Sequence, residues 1–89
     1  MNAKVENMRN SRGNTVPNQF IIQTNEGQYF QSYNSMIAFK PLSGKIQIDS
    51  EKWNYSTTTG KYRNQFLGET KKETEKKIAD GTYILTDLN

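Results

Sequence analysis

Cysteine and histidine are both absent from this 89-residue sequence, and proline occurs only twice. Without cysteine there is no disulfide, no thiolate nucleophile and no thiolate-ligated metal. Secreted chains of this size usually carry such staples, so an intracellular, cytoplasmic setting is expected. Lack of histidine removes the side chain that titrates nearest neutrality, and with it most small-enzyme acid–base schemes. Catalysis would have to rest on carboxylates, Lys, Tyr or Ser, and no enzyme is expected. No stretch approaches the ~20 consecutive apolar residues of a membrane helix, and the first residues hold no apolar signal core, so no membrane partner is expected. No motif implies a cofactor.

The residues that are present are polar, yet not those of a disordered chain. Hydrophobic residues make up 33% and mean hydropathy is −0.93, but aromatics reach 11% and bury large areas from few positions. A chain of this length supports one domain that buries about 60 to 65% of its unfolded surface, so its core must be economical. The net charge is +3. Lys4, Arg9 and Arg12 against Glu6 place +2 of it before Pro17, leaving the remainder nearly neutral. A pI of about 9.2 therefore argues only weakly for a polyanionic partner.

Residues 1–17 show no apolar period and are rich in Asn, Arg, Ser and Gly, which predicts a flexible, disordered N-terminal arm closed by Pro17. Residues 18–89 read as the single folded domain. Phe20-Ile21-Ile22, the Asn25-Glu26-Gly27 turn and Gln28 to Tyr33 predict a hairpin. Met36 to Phe39 predicts a further strand, ended by Pro41-Leu42-Ser43-Gly44. Lys45 to Asp49 alternates, with Ile46 and Ile48 on one face, and Thr82 to Leu88 predicts a last strand. Between them, Ser56 or Thr57 can cap a helix over about Thr58 to Leu67. Thr70 with Glu73 forms a capping box for a second helix that Asp80-Gly81 ends. The expected fold is α+β: one twisted antiparallel sheet of four to five short strands covered by one or two short helices. Its inner face would hold Phe20, Ile22, Phe30, Ile37, Phe39, Ile46, Ile48, Ile84 and Leu88, sealed by Trp53, Phe66 and Leu67.

The chemistry concentrates in WNYSTTTGKYRNQFL, residues 53–67. No acidic residue falls between Lys52 and Gly68. Lys52, Tyr55, Lys61, Tyr62, Arg63 and Asn64 form the first candidate binding surface, able to stack on planar groups and neutralise anions. A half-buried strand-to-helix junction would use the same residue types. Gln28, Gln31, Tyr33 and Asn34 form a second candidate, with a composition seen at protein interfaces. Asp49 and Glu51 share a strand face and could hold a hard cation, but read first as a solvated strand end, and no metal site is expected. Thr58-Thr59-Gly60-Lys61 lacks the glycine and hydroxyl that a phosphate-binding loop needs.

FQSYNSMIAF at 30–39, WNYSTTTGKYRNQFLGE at 53–69 and Gly81-Thr82-Tyr83-Ile84-Leu85 resemble a family of small uncharacterised proteins found mainly in bacteriophages and mobile elements. That resemblance spans about Asn18 to Asn89 and implies a phage context in a host cell, without catalytic residues to carry over. The expected function is a non-enzymatic binding protein that modulates or inhibits a host or phage macromolecule by stoichiometric binding, nucleic-acid machinery or a defence component being the expected target. The alternative is a single-stranded DNA- or RNA-binding protein using the cluster around Tyr62. A structural virion or scaffold component is the third reading.

Overall fold

The reversal at Asn25-Glu26 sets the register of the sheet. The computed structural model describes residues 3–89, and in it β2 (Thr15–Thr24) turns back into β3 (Gly27–Ser32) with Thr24 paired to Gly27. Gly27 has φ +145°, and a Cβ there would meet the Lys40 carbonyl oxygen at 2.1 Å. Only glycine satisfies both demands. Four further strands complete a six-stranded sheet whose spatial order follows the sequence: β1 (Lys4–Arg9), β4 (Ser35–Pro41), β5 (Gln47–Asp49) and β6 (Ile84–Thr86). Every neighbouring pair is antiparallel except β5 and β6. The parallel last pair departs from the expected all-antiparallel sheet because two helices intervene, α1 (Thr57–Leu67) and α2 (Lys71–Ala79), and they return the chain to the same end.

Both helices start where their caps dictate. The Ser56 hydroxyl accepts from Thr59 N–H, and Gly68, at φ +70°, ends α1 by donating to Asn64 O. Thr70 and Glu73 form both arms of the capping box of α2. The helices lie on one side of the sheet, over the row Ile21, Phe30, Ala38 and Ile48. A bulge between Phe30 and Gln31 turns Ile37 inward beside Ala38, and neither is exposed. Tyr62 and Phe66 of α1 and Tyr83 close this core, with Phe66 stacked on Phe30 at 5.7 Å between centroids. Trp53, Leu67, Ile46 and Ile78 pack around it.

Two expectations need correction. The inward residues of β2 are Gln19 and Ile21, so Phe20 and Ile22 lie on the opposite face, together with Phe39 and Ile84. A run of three apolar residues does not declare its parity, and a one-residue shift exchanges the faces. The stretch expected as a disordered arm is instead β1 and the start of β2; only residues 1 and 2 lie outside the described ones. Met8 and Val16 enter the core, 5% and 9% exposed, and Asn7 Nδ2 donates to Val16 O. Sheet pairing supplies the backbone partners that the polar composition of this stretch conceals. Met8→Ala should therefore lower the unfolding free energy by about 2 kcal/mol or more, read by urea denaturation, whereas the same change in a free arm would leave the midpoint unmoved.

Candidate functional site

The inward stripe of α1 is Thr59, Tyr62, Arg63 and Phe66, at the 3- and 4-residue spacing of a helix face, and half of it is polar. Thr59 Oγ1 lies 2.8 Å from Ser32 Oγ of β3 and 2.9 Å from Ser56 Oγ. Arg63 is fully enclosed. Its Nη1 donates to Trp53 O at 2.7 Å and to Asn54 Oδ1 at 3.1 Å, its Nη2 donates to Asn64 Oδ1 at 2.9 Å, and Nε has no partner. The guanidinium carbon sits 5.0 Å from the centre of the Trp53 ring. Gly60 lies beside this arrangement, where a Cβ would be in ordinary contact with Nη2 at 3.7 Å. Burial draws the guanidinium below its ordinary pKa, and the more distant carboxylates of Glu69 and Glu75 oppose that shift.

Beside Arg63 lies an open groove of about 630 Å³ along the first two turns of α1, lined by Asn54, Thr57, Gly60, Lys61, Asn64 and Lys71 among others, with no carboxylate in its wall. The first candidate cluster is thus divided by the fold. Lys61 and Asn64 line the groove, with Arg63 beneath them. Tyr62 is in the core, 6% exposed, and is not a stacking platform. Lys52 and Tyr55 stay exposed in the preceding loop, with Lys52 Nζ 5.5 Å from the Tyr55 ring centre and the Tyr55 hydroxyl donating to Ser32 O. Asn54 and Lys71 escaped the sequence reading. Asp49, read as a solvated strand end, is buried: its carboxylate accepts the N–H groups of Glu51, Lys52 and Leu88.

The second candidate is divided as well. Gln28 pairs with Gln23 and Lys40 on the helix side, whereas Gln31 pairs with Phe20 and Met36 on the open side. Residues three apart on a strand face opposite ways. Tyr33 and Asn34 form the β3–β4 turn, where Tyr33 holds φ +54° and its N–H donates to Asn18 O. The open face itself carries a row across all six strands: Val5, Ile22, Tyr29, Phe39, Gln47 and Ile84. Tyr29 and Phe39 stack at 4.2 Å. Asn7, Phe20, Gln31 and Met36 form the next row, and neither row contains a charge.

A family profile described as "Family of unknown function (DUF8033)" matches residues 3–81. The chain belongs to this family. Neither a curated protein nor a solved structure matches it. The match takes in β1 and stops short of β6, so the family unit includes the segment first read as an arm.

Glu69, also missed in the sequence, ties α2 and the approach to β6 together. Its carboxylate accepts from Thr74 Oγ1, Lys77 Nζ and the Tyr83 hydroxyl at 2.6 to 2.7 Å. Burial works to raise its pKa, but these donors outweigh burial and hold it below the ordinary carboxylate range. The same balance, with N–H groups as donors, holds for Asp49. Depressed folded-state values stabilise the fold at neutral pH, and that contribution is lost as pH falls through the carboxylate range. Tyr83 behaves oppositely: burial and Glu69 push its phenol from 10.0 up to about 12, so stability falls as the unfolded chain ionises above 10. Glu69→Gln should cost about 1 to 3 kcal/mol at neutral pH and flatten the acid limb of the stability curve, measured by urea denaturation at several pH values.

Proposed function

We propose that this protein is a non-enzymatic binding module that acts stoichiometrically by docking a partner protein on the open face of its sheet. The observation that carries this reading is the uncharged row from Val5 to Ile84, centred on the Tyr29–Phe39 stack. Aromatic and aliphatic side chains flanked by Asn and Gln, with charges kept away, make up the usual centre of a protein interface. The protein extends 34 × 32 Å in its longer dimensions, and such a face matches the ~800 Å² that each partner contributes to a standard interface. Its occupant presents an apolar, uncharged surface, because a charge buried against this face would find no partner. The phage or mobile-element setting implied by the resemblance makes a host protein in the cytoplasm the target, and modulation or inhibition of it the result. Single-stranded nucleic acid is the weaker reading for this face, since no cation stands beside its aromatics to meet phosphates.

Photo-crosslinking tests the reading. A photoreactive aromatic at position 29, illuminated in host extract, should give a discrete protein adduct that falls about tenfold or more in Ile22→Lys, a folded variant with a charge in the row. A discrete adduct from position 61 and none from position 29 would overturn it. Dimerisation in sedimentation that Ile22→Lys abolishes would instead make a second copy of the chain the occupant.

A further inference from the structure

The groove at the start of α1 carries a separate inference, independent of the sheet face. Arg63 is enclosed without a carboxylate: its three hydrogen bonds go to neutral oxygens, and Lys77–Glu69 is the one ion pair among the described residues. Neutral acceptors satisfy the guanidinium's donors but leave its charge in place. The groove above it is walled by Lys61, Lys71, Asn54 and Asn64 and by no acid. Because the side-chain oxygens of Asn54 and Asn64 accept from Arg63, both amide groups are oriented with their Nδ2 hydrogens directed away from the guanidinium. Neither Nδ2 donates to another protein group. At the same place α1 begins with no acidic residue in its first turn. The Ser56 cap serves Thr59 N–H, leaving the N–H of Thr57, which lines the groove, without an acceptor among the described residues. A helix start, two lysines, two oriented amides and a buried guanidinium without a carboxylate partner among the described residues border one volume.

We infer that this groove binds a phosphate group, seated over Arg63 at the N-terminus of α1. The compact anion takes an N–H donor from Thr57 and amide donors from Asn54 and Asn64, while Lys61 and Lys71 close over it from the rim. Arg63 acts through the two asparagines: it fixes their orientation and supplies the charge underneath. The remaining groove volume, about 630 Å³ in all, has space for the group that carries the phosphate. Two sources share this chemistry, the terminal phosphate of a nucleotide and the phosphodiester of a single strand.

The test is an NMR titration of the whole protein with inorganic phosphate, with a nucleoside monophosphate and with a single-stranded oligonucleotide lacking terminal phosphates, against sodium chloride at matched ionic strength. Phosphate should shift the backbone amide of Thr57 and the side-chain amides of Asn54 and Asn64, and should raise the melting temperature. Lys61→Ala and Lys71→Ala should each weaken binding about two- to fivefold. Thr57→Asp puts a carboxylate in the first turn, which favours the helix, yet it should weaken phosphate binding by about tenfold or more. Stronger binding of the monophosphate assigns a terminal phosphate, and stronger, salt-dependent binding of the oligonucleotide assigns the diester. Amides that respond to phosphate no more than to chloride, or wild-type affinity in folded Thr57→Asp, would overturn the inference.

Discussion

A guanidinium shut away from water has to be met by oxygens, and around Arg63 those oxygens come from two places in the chain. Trp53 and Asn54 belong to the loop before α1, Asn64 to α1 itself, and the Trp53 ring lies against the same cation. This set of bonds fixes the loop to the helix, while the Thr59–Ser32 hydroxyl pair and the packing of Phe66 on Phe30 hold the helix to the sheet. Gly60 lowers local helix stability by about 1 kcal/mol relative to alanine, and steric room does not explain it, because a Cβ there would meet Asn54 and the guanidinium at ordinary contact distance. None of the three acceptors is charged, so the junction remains electropositive.

The two faces of the molecule consequently have different electrical character. Lys4, Glu6 and Lys40 all fall in helix-side rows of the sheet, and both helices add further charge on that side. On the other side the central rows have no formal charge. Strand alternation alone produces this separation, since a residue's parity decides which environment it joins. The chain thus has an uncharged, largely apolar sheet face and an acid-free basic groove on opposite sides of a single sheet.

Elements specified by local chemistry were legible in the sequence. The Asn25-Glu26-Gly27 turn, the Ser56 and Thr70 caps, and the positions of both helices follow from side chains acting on nearby backbone. Features that depend on distant partners were not. Phe20-Ile21-Ile22 fits either parity, and only the packing of Ile21 over Phe30 decides between them. Lys4 to Arg9 looks like a tail until β2 is present to pair with it. Arg63 was read as a surface cation because charge outweighed position in that reading, although its spacing from Thr59, Tyr62 and Phe66 places it on the buried stripe. The basic groove was half visible, since the acid-free run from Lys52 to Gly68 contains most of its wall while Lys71 arrives from the next helix.

The order of the strands has a consequence for assembly. Strands β1 to β4 are joined by short connections and meet only their neighbours in sequence, so each pairing closes a small loop and forfeits little chain entropy. β5 differs, because its second partner lies beyond two helices and offers three residues of pairing. The Asp49 bond to Leu88 N–H, and the paired bonds between Asn89 and Met36, draw the last residues back across that gap. During synthesis the first four strands can zip together before α2 has left the ribosome, whereas the far edge of the sheet must wait until β6 has emerged.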